Sequence, residues 1–384
     1  MSRRFVLADA DQRDTYMIEY VESHVVYDNP APHVHSRQGY FPGLARLTSG
    51  ELICLFVMGE AFEAPNCTTN ISRSSDKGRT WTLEGLLYDR SRLPVPANDS
   101  LKPTALRNGK LIAMGYRYLR RDPEQGIAIP ETNGFQPGEN LISFSDDDGH
   151  RWSEPKVIPR KHPELIETSG PCVETQSGEL IALGALFKLP DGTNPSGEVG
   201  VLMRSGDQGK TWTDETVFYN WRKITPYEAR ICEMQPGRLV VIVWAYDSAT
   251  DRHLPNQITY STDNGRRWSE PEDTGHFGQA SNLIWLGGET LASIHAHRST
   301  APGLYVRLID FSKNRWKPFE EKVIWRPSVG YIATEGASMA EMFAALKFGQ
   351  PSLLHLGGDE FLAAHWSIEN GQGRIRVHRL ILKA

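Results

Sequence analysis

Four times the chain repeats Ser-x-Asp-x-Gly-x-x-Trp, running from Ser74 to Trp81, Ser145 to Trp152, Ser205 to Trp212 and Ser261 to Trp268. Each copy reads as a hairpin tip. The Asp carboxylate accepts hydrogen bonds from turn N–H groups, and Gly supplies the positive φ that the turn requires. The Trp then buries a large ring against a neighbouring unit. Recurrence at spacings of about 55 to 70 residues means an array of like units that need one another to bury their faces. The 384 residues are therefore expected to form one domain, 1–384, although length alone suggests two or three.

A second repeat runs in phase with the first: a Gly turn followed by an apolar strand. It occurs as Thr48-Ser-Gly-Glu-Leu52, Arg107-Asn-Gly-Lys-Leu111, Gln176-Ser-Gly-Glu-Leu180, Gln235-Pro-Gly-Arg-Leu239, Gly287-Gly-Glu-Thr-Leu291 and Gly357-Gly-Asp-Glu-Phe361. Each of these six units offers two strands across the turn, one strand before the Asp pattern and one after it. The expected fold is all-β, a six-bladed β-propeller of four-stranded antiparallel blades, in which radial repetition leaves few open edges. The fifth and sixth units lack a good Asp pattern, and Asp310 to Trp316 reads as a decayed copy. The β-rich segment Tyr16 to Tyr27 is expected to join the last blade and close the ring. Ala337 to Phe348 is the helical candidate. Two insertions, Tyr118 to Glu139 and Phe187 to Gly197, should lie over or beside a central pocket.

A formal charge of −5 with a pI near 6.2 gives no basic stripe for nucleic acid. Leu239 to Tyr246 is the most apolar run and is too short to span a bilayer, so no membrane partner is expected. Arg3 and Arg4 precede no apolar stretch long enough for a signal peptide, and Asp9 and Asp11 interrupt the region. Cys54, Cys172 and Cys232 sit in apolar runs and read as buried thiols, while Cys67 lies in a polar loop. A cytoplasmic location is the corresponding expectation; a trimmed leader would make the protein a secreted one.

The Asp patterns, the six phased units and the sixth-unit phrase Phe348-Gly-Gln-Pro-Ser-Leu353 resemble the sialidase (neuraminidase) superfamily with its Asp-box repeats, over about residues 20 to 382. The resemblance implies a propeller whose central pocket binds a glycan. It also implies three Arg for a sialic acid carboxylate, a Tyr nucleophile helped by a Glu, and an acid/base Asp. The match is partial. Tyr40 stands where the first Arg belongs, Trp244 occupies the place of the second, and no residue matches the third. Glu228 matches the Glu, Gln350 replaces the Tyr, and the acid/base position falls on Asp99 by loop length or Lys102 by the proline. Ordinary sialidase chemistry is not expected from such a set.

Aligning the six units gives the residues that should ring the pocket. Strand starts contribute Tyr40, Asp99, Lys102, Glu167, Thr168, Tyr227, Glu228, Arg230, Gln279, Asn282 and Gln350. Strand ends contribute Tyr116, Arg117, Trp244, His295, His297, Arg298, His365 and Trp366, and the loop before the first unit adds His33, His35 and Arg37. Carboxylates, bases and flat aromatics together suit an oligosaccharide or glycoconjugate, preferably anionic. Glu228, Asp99 and His365 are the catalytic candidates. Tyr40, Lys102, Arg117, Arg230, Trp244, His297 and Gln350 are the substrate-binding ones. No cofactor and no metal are expected, since His295 and His297 read as polar-face residues of one strand. Three classes stay open. An exo-glycosidase on an acidic sugar would pair Asp99 with Glu228. A uronate lyase would use Arg230 or Lys102, His365 or His297, and Tyr40. A binding propeller would do no chemistry.

Overall fold

The structure, a computed structural model, describes residues 16–91, 93–328, 341, 343 and 345–383. Six antiparallel sheets succeed one another as blades of a propeller. Blade 1 runs Gln38–Arg46, Leu52–Gly59, Thr68–Ser74 and Thr82–Leu86, from axis to rim. Blade 2 is built from Ala97–Ala105, Leu111–Leu119, Gly138–Ser145 and Lys156–Val157. Blade 3 has an interrupted inner strand, Leu165–Ile166 and Val173–Glu174, then Leu180–Phe187, Gly200–Ser205 and Thr213–Tyr219. Blade 4 comprises Ile224–Gln235, Arg238–Asp247, Gln257–Ser261 and Glu272–Asp273. Blade 5 comprises Ser281–Gly287, Thr290–His297, Gly303–Asp310 and Lys317–Trp325. In blade 6, Phe348–Gly357, Glu360–Glu369 and Gln372–Lys383 are completed by Met17–Tyr27, whose register runs from Met17 opposite Lys383 to Tyr27 opposite Ile375. The amino-terminal segment thus closes the ring, as its sequence predicts. Of the expected helix from Ala337 to Phe348, residues 341, 343 and 345 are helical and Phe348 opens a strand. Residues 337–340, 342 and 344 lie outside the described residues.

The second strand of each blade is sandwiched between neighbouring blades and buried on both faces. That is why these strands read as continuous apolar runs rather than alternating ones: all eight residues of Leu180–Phe187 are buried. The four cysteines are free thiols. Cys67, ambiguous from its polar loop, is buried with its Sγ 3.1 Å from the Ala61 carbonyl.

The four Ser-x-Asp-x-Gly copies fold into one repeated clasp at the hairpin between third and fourth strands. In blade 3, Ser205 Oγ donates to Asp207 at 2.8 Å and accepts from Gly209 N–H at 2.9 Å. Asp207 accepts from Thr211 N–H at 2.9 Å, and the Trp212 indole donates to the Gly209 carbonyl at 3.0 Å. The other three copies repeat these bonds. Two successive left-handed residues make the turn, Gln208 (φ 61°) and Gly209 (φ 84°) in this blade. Each clasp lies on the blade before it: Trp212 packs against the cluster that includes Ile112 and Ile142 of blade 2.

Three of the four blades that precede an intact clasp also reach forward with an arginine. Arg73 donates to Asp148 O at 3.0 Å, Arg204 to Asn264 O at 2.8 Å and Arg379 to Lys77 O at 2.9 Å, each a carbonyl of the next blade's clasp. Because inner strands start and second strands finish at one end of the ring, the clasps mark the opposite end. Trp212→Ala should therefore lower the melting temperature measured by calorimetry, by about 3 kcal/mol of stability. Steady-state turnover per folded molecule should not change.

Candidate functional site

At the end of the ring away from the clasps, a cavity open to solvent lies on the axis. All six blades line it, through Phe41, Asp99, Glu167, Glu228, Ala280 and Gln350 among others. Four of these residues, Phe41 (φ 53°), Glu228 (φ 52°), Ala280 (φ 100°) and Gln350 (φ 39°), adopt left-handed backbone although none is glycine. In blades 1, 4 and 6 the ladder slips at this point, between Tyr40 and Gly43, Tyr227 and Arg230, and Gly349 and Ser352. A bulge with one left-handed residue breaks the two-residue alternation of a strand and re-aims a side chain. Here it turns Phe41, Glu228 and Gln350 into the axis. Blade 2 keeps an unbroken ladder from Ala97 to Ala105.

Two glutamates meet in this cavity in unlike surroundings. Glu167 is buried and its Oε2 accepts the backbone N–H of Glu228 at 3.0 Å. Burial first, and the neighbouring Glu228 charge second, push its carboxyl well above the ordinary value of 4.5. Glu228 is salt-bridged to Arg230 at 2.8 Å and accepts from Gln350 Nε2 at 2.8 and 3.1 Å. Arg230 is fixed in turn by Ser169 Oγ and the Ala229 carbonyl, both at 3.0 Å. A protonated carboxyl beside an ion-paired carboxylate is the arrangement that supplies one acid and one base.

Aromatic groups make up much of the wall. Tyr116, Tyr118 and Tyr227 are raised by burial well above 10 and stay neutral. The Trp244 indole donates to His253 Nδ1 at 3.0 Å and stacks on that ring. Burial, followed by the Arg298 charge, takes His253 down to about 4, so this imidazole is neutral with its proton on Nε2. Of the two insertions the first reaches the cavity through Ile127, while the second meets it only at Phe187, the last residue of its strand, whose ring packs on Phe135 with centroids 4.4 Å apart.

The remaining sequence candidates fall into two groups. Asp99 lines the cavity, but its carboxylate is buried and fully engaged, by Thr69 N–H at 2.8 Å, Thr69 Oγ1 at 2.7 Å and Tyr88 OH at 2.7 Å. Lys102 lies beneath the cavity, its Nζ donating to the Phe41 carbonyl at 2.6 Å and Ser100 Oγ at 3.0 Å. Burial, then Arg230, push this lysine down to about 7. Gly43 admits its stem, since a Cβ there would stand 2.9 Å from Lys102 Cδ.

His365 does not reach the cavity. It is buried within blade 6, stacked on His378 and against Trp325 of blade 5, because its strand position faces the interblade core. Tyr40 and Trp366 are likewise core residues, with ring centroids 5.3 Å apart. Arg117 forms an ion pair with Glu139 at 2.6 Å, and the His297 ring nitrogens lie 3.3 Å from the Phe277 carbonyl and 2.9 Å from the Ser299 hydroxyl. Neither lines the cavity, so of the ten sequence candidates Glu228, Asp99, Trp244 and Gln350 do. Sequence reasoning put Glu167 in the ring but gave it no role. Its position as the blade 3 counterpart of Asp99 and Glu228 was the available signal.

No protein-family model matches the chain. A vacuolar protein sorting/targeting protein of Saccharomyces cerevisiae is 24% identical over 256 residues, covering 60% of this chain and 15% of that protein's length. Among solved structures, a protein of unknown function from Dyadobacter fermentans superposes with a TM-score of 0.72 at 18% identity, covering 95% of this chain and 99% of its own. A Hadza microbial sialidase gives 0.64 at 19% identity, with 93% of this chain and 68% of that one covered. An alpha-L-arabinanase of Penicillium chrysogenum complexed with arabinobiose gives 0.62 at 15% identity, with 94% and 98% covered. At these identities the likeness is one of fold: the chain has the sialidase-like six-bladed propeller that sialidases and arabinanases share.

Proposed function

We propose that the protein is a glycoside hydrolase that removes a terminal sugar from an oligosaccharide or glycoconjugate. The observation that carries this reading is the Glu167–Glu228 pair, one carboxyl kept neutral by burial and the other ion-paired to Arg230, facing one cavity. Glu167 protonates the departing glycosidic oxygen. The Glu228 carboxylate either attacks the anomeric carbon or takes a proton from the water that does. The anomeric configuration of the first product, read by NMR, separates those two routes. A pocket ringed by all six blades receives a chain end, which favours exo-attack over cutting within a long groove. The sialidases and arabinanases of the same fold lend support.

The residues that a uronate lyase would need are elsewhere. His365 and Tyr40 are buried in the core, His297 lies outside the cavity lining against the Phe277 carbonyl and the Ser299 hydroxyl, and Arg230 is held by Glu228. Products of an oligosaccharide screen should accordingly show new reducing ends and no conjugated double bond absorbing in the near ultraviolet. The reverse result would assign a lyase, and thermal stabilisation by a glycan with neither signal would assign a binding propeller.

Glu228→Gln should lower kcat about 10³-fold with all leaving groups. Glu167→Gln should do so for alkyl glycosides but far less for aryl glycosides with acidic leaving groups. Wild-type kcat/KM should fall as pH rises through the elevated Glu167 value, and this limb should vanish in Glu167→Gln.

The same residue gives a stability test. A carboxyl whose folded-state value is raised contributes most below its unfolded value and loses that contribution as pH climbs through the folded one. The melting temperature of Glu167→Gln relative to wild type should therefore widen in the variant's favour as pH rises above 4.5. A difference independent of pH would mean that Glu167 is ionised in the folded protein.

A further inference from the structure

We infer that the cavity selects a neutral sugar, recognised through its hydroxyl groups, over a uronic or sialic acid. The inference takes from the proposed function only that the ligand is a sugar. Three side-chain amides lining the cavity, Asn98, Gln279 and Gln350, each have an oxygen that is buried and has no hydrogen-bond partner. All three residues are more than nine-tenths buried, with exposures of 6%, 8% and 6%. A buried acceptor left unpaired is costly, and the three belong to residues that line one cavity, which points to a ligand that brings donors.

The orientation of Gln350 is fixed by chemistry. Its amide nitrogen faces both oxygens of the Glu228 carboxylate at 2.8 and 3.1 Å, where an amide oxygen would be repelled. The acceptor end is therefore Oε1, the atom without a partner. Asn98 and Gln279 meet a hydroxyl with either end of the amide, because a hydroxyl both donates and accepts. A carboxylate has no proton to donate and is repelled by a carbonyl oxygen.

Charge points the same way. Glu167 is held neutral, and the carboxylates of Asp99 and Glu228 are already matched by Arg90 and Arg230, so these pairs leave no surplus positive charge for an acidic sugar. Arg298 is the guanidinium among the lining residues, and it already donates Nε to the Phe348 carbonyl at 2.9 Å. It also packs where a Cβ on Gly349 would collide with it. Arg117 and Arg230, the two arginines among the substrate-binding candidates, are matched by Glu139 and Glu228.

The test is calorimetric titration of the full chain with arabinose, xylose, galactose, glucose and mannose. Glucuronate, galacturonate and N-acetylneuraminate are titrated at the same ionic strength. At least one neutral sugar should bind about tenfold or more tighter than every acid, and Gln279→Leu should weaken that sugar about tenfold. An acid that binds as tightly as the best neutral sugar, or no binding by any probe, overturns the inference. The wild-type comparison stands whether or not the variant folds. Binding and hydrolysis separate cleanly. A neutral sugar that binds but is never released from its glycosides sustains this inference and removes the hydrolase reading. Turnover confined to uronides or sialosides does the opposite.

Discussion

A strand that alternates strictly presents every second side chain to the same face, and that constraint governs what a propeller can place on its axis. Three inner strands here escape it with a residue in the left-handed region, at Phe41, Glu228 and Gln350, and Ala280 takes the same conformation just before the fifth begins. Such conformations cost about 1–3 kcal/mol each for ordinary residues and persist only where the surroundings over-determine them. The surroundings are visible: Lys102 Nζ holds the Phe41 carbonyl, Glu167 holds the Glu228 amide, and Gln350 is tied to Glu228 through its side chain. The site therefore shares its bonds with the backbone strain that shapes it. Removing one group disturbs the others.

Strain at one end of the ring requires rigidity elsewhere, and the clasps supply it at the other end. Each Ser-Asp-Gly-Trp unit satisfies its own turn and also covers the preceding blade. Arg73, Arg204 and Arg379 add a charged latch to the next clasp, anchored by Glu51 and Glu84, Glu179, and Glu360 respectively. Blade 4 makes the corresponding contact with aromatic surface, Tyr260 against Phe311. It also sends Arg238 to the Phe311 carbonyl, so the decayed fifth copy is still held. Met17–Tyr27 completes blade 6 by pairing with the outer side of Gln372–Lys383. Blades pinned on both sides leave little freedom for the inner strands to relax.

Periodicity made the fold legible. Gly turns, apolar runs and Asp patterns recur in phase, so blade number, strand order and the closing segment could all be read from spacing. The site was legible only as a set of positions. Asp99 and Lys102 could not be separated because their strand lacks the bulge that its neighbours carry, and a bulge leaves no distinct mark in Tyr-Glu-Ala-Arg or Gly-Gln-Pro-Ser. The same blindness sent His365 to the pocket: one register step on a strand decides between axis and interblade core. Glu167 was hidden for another reason. Its role comes from desolvation and from an amide of a different blade, and neither is written near it in the sequence.

The charges on the axis keep Glu167 and Glu228 in unlike states. Lys102 is deepest and held down to about 7 by burial and by Arg230, so it contributes little fixed positive charge near neutrality. Arg230 lies above it and is neutralised by Glu228, which leaves Glu167 facing a carboxylate without a full counter-charge of its own. A second free cation at this level would ionise Glu167 and abolish the difference between the two acids. On the proposed reading, an unpaired arginine placed beside Glu167 to attract an acidic sugar would also favour the ionised carboxyl, so keeping this acid protonated and recruiting an acidic substrate at the same spot are competing demands.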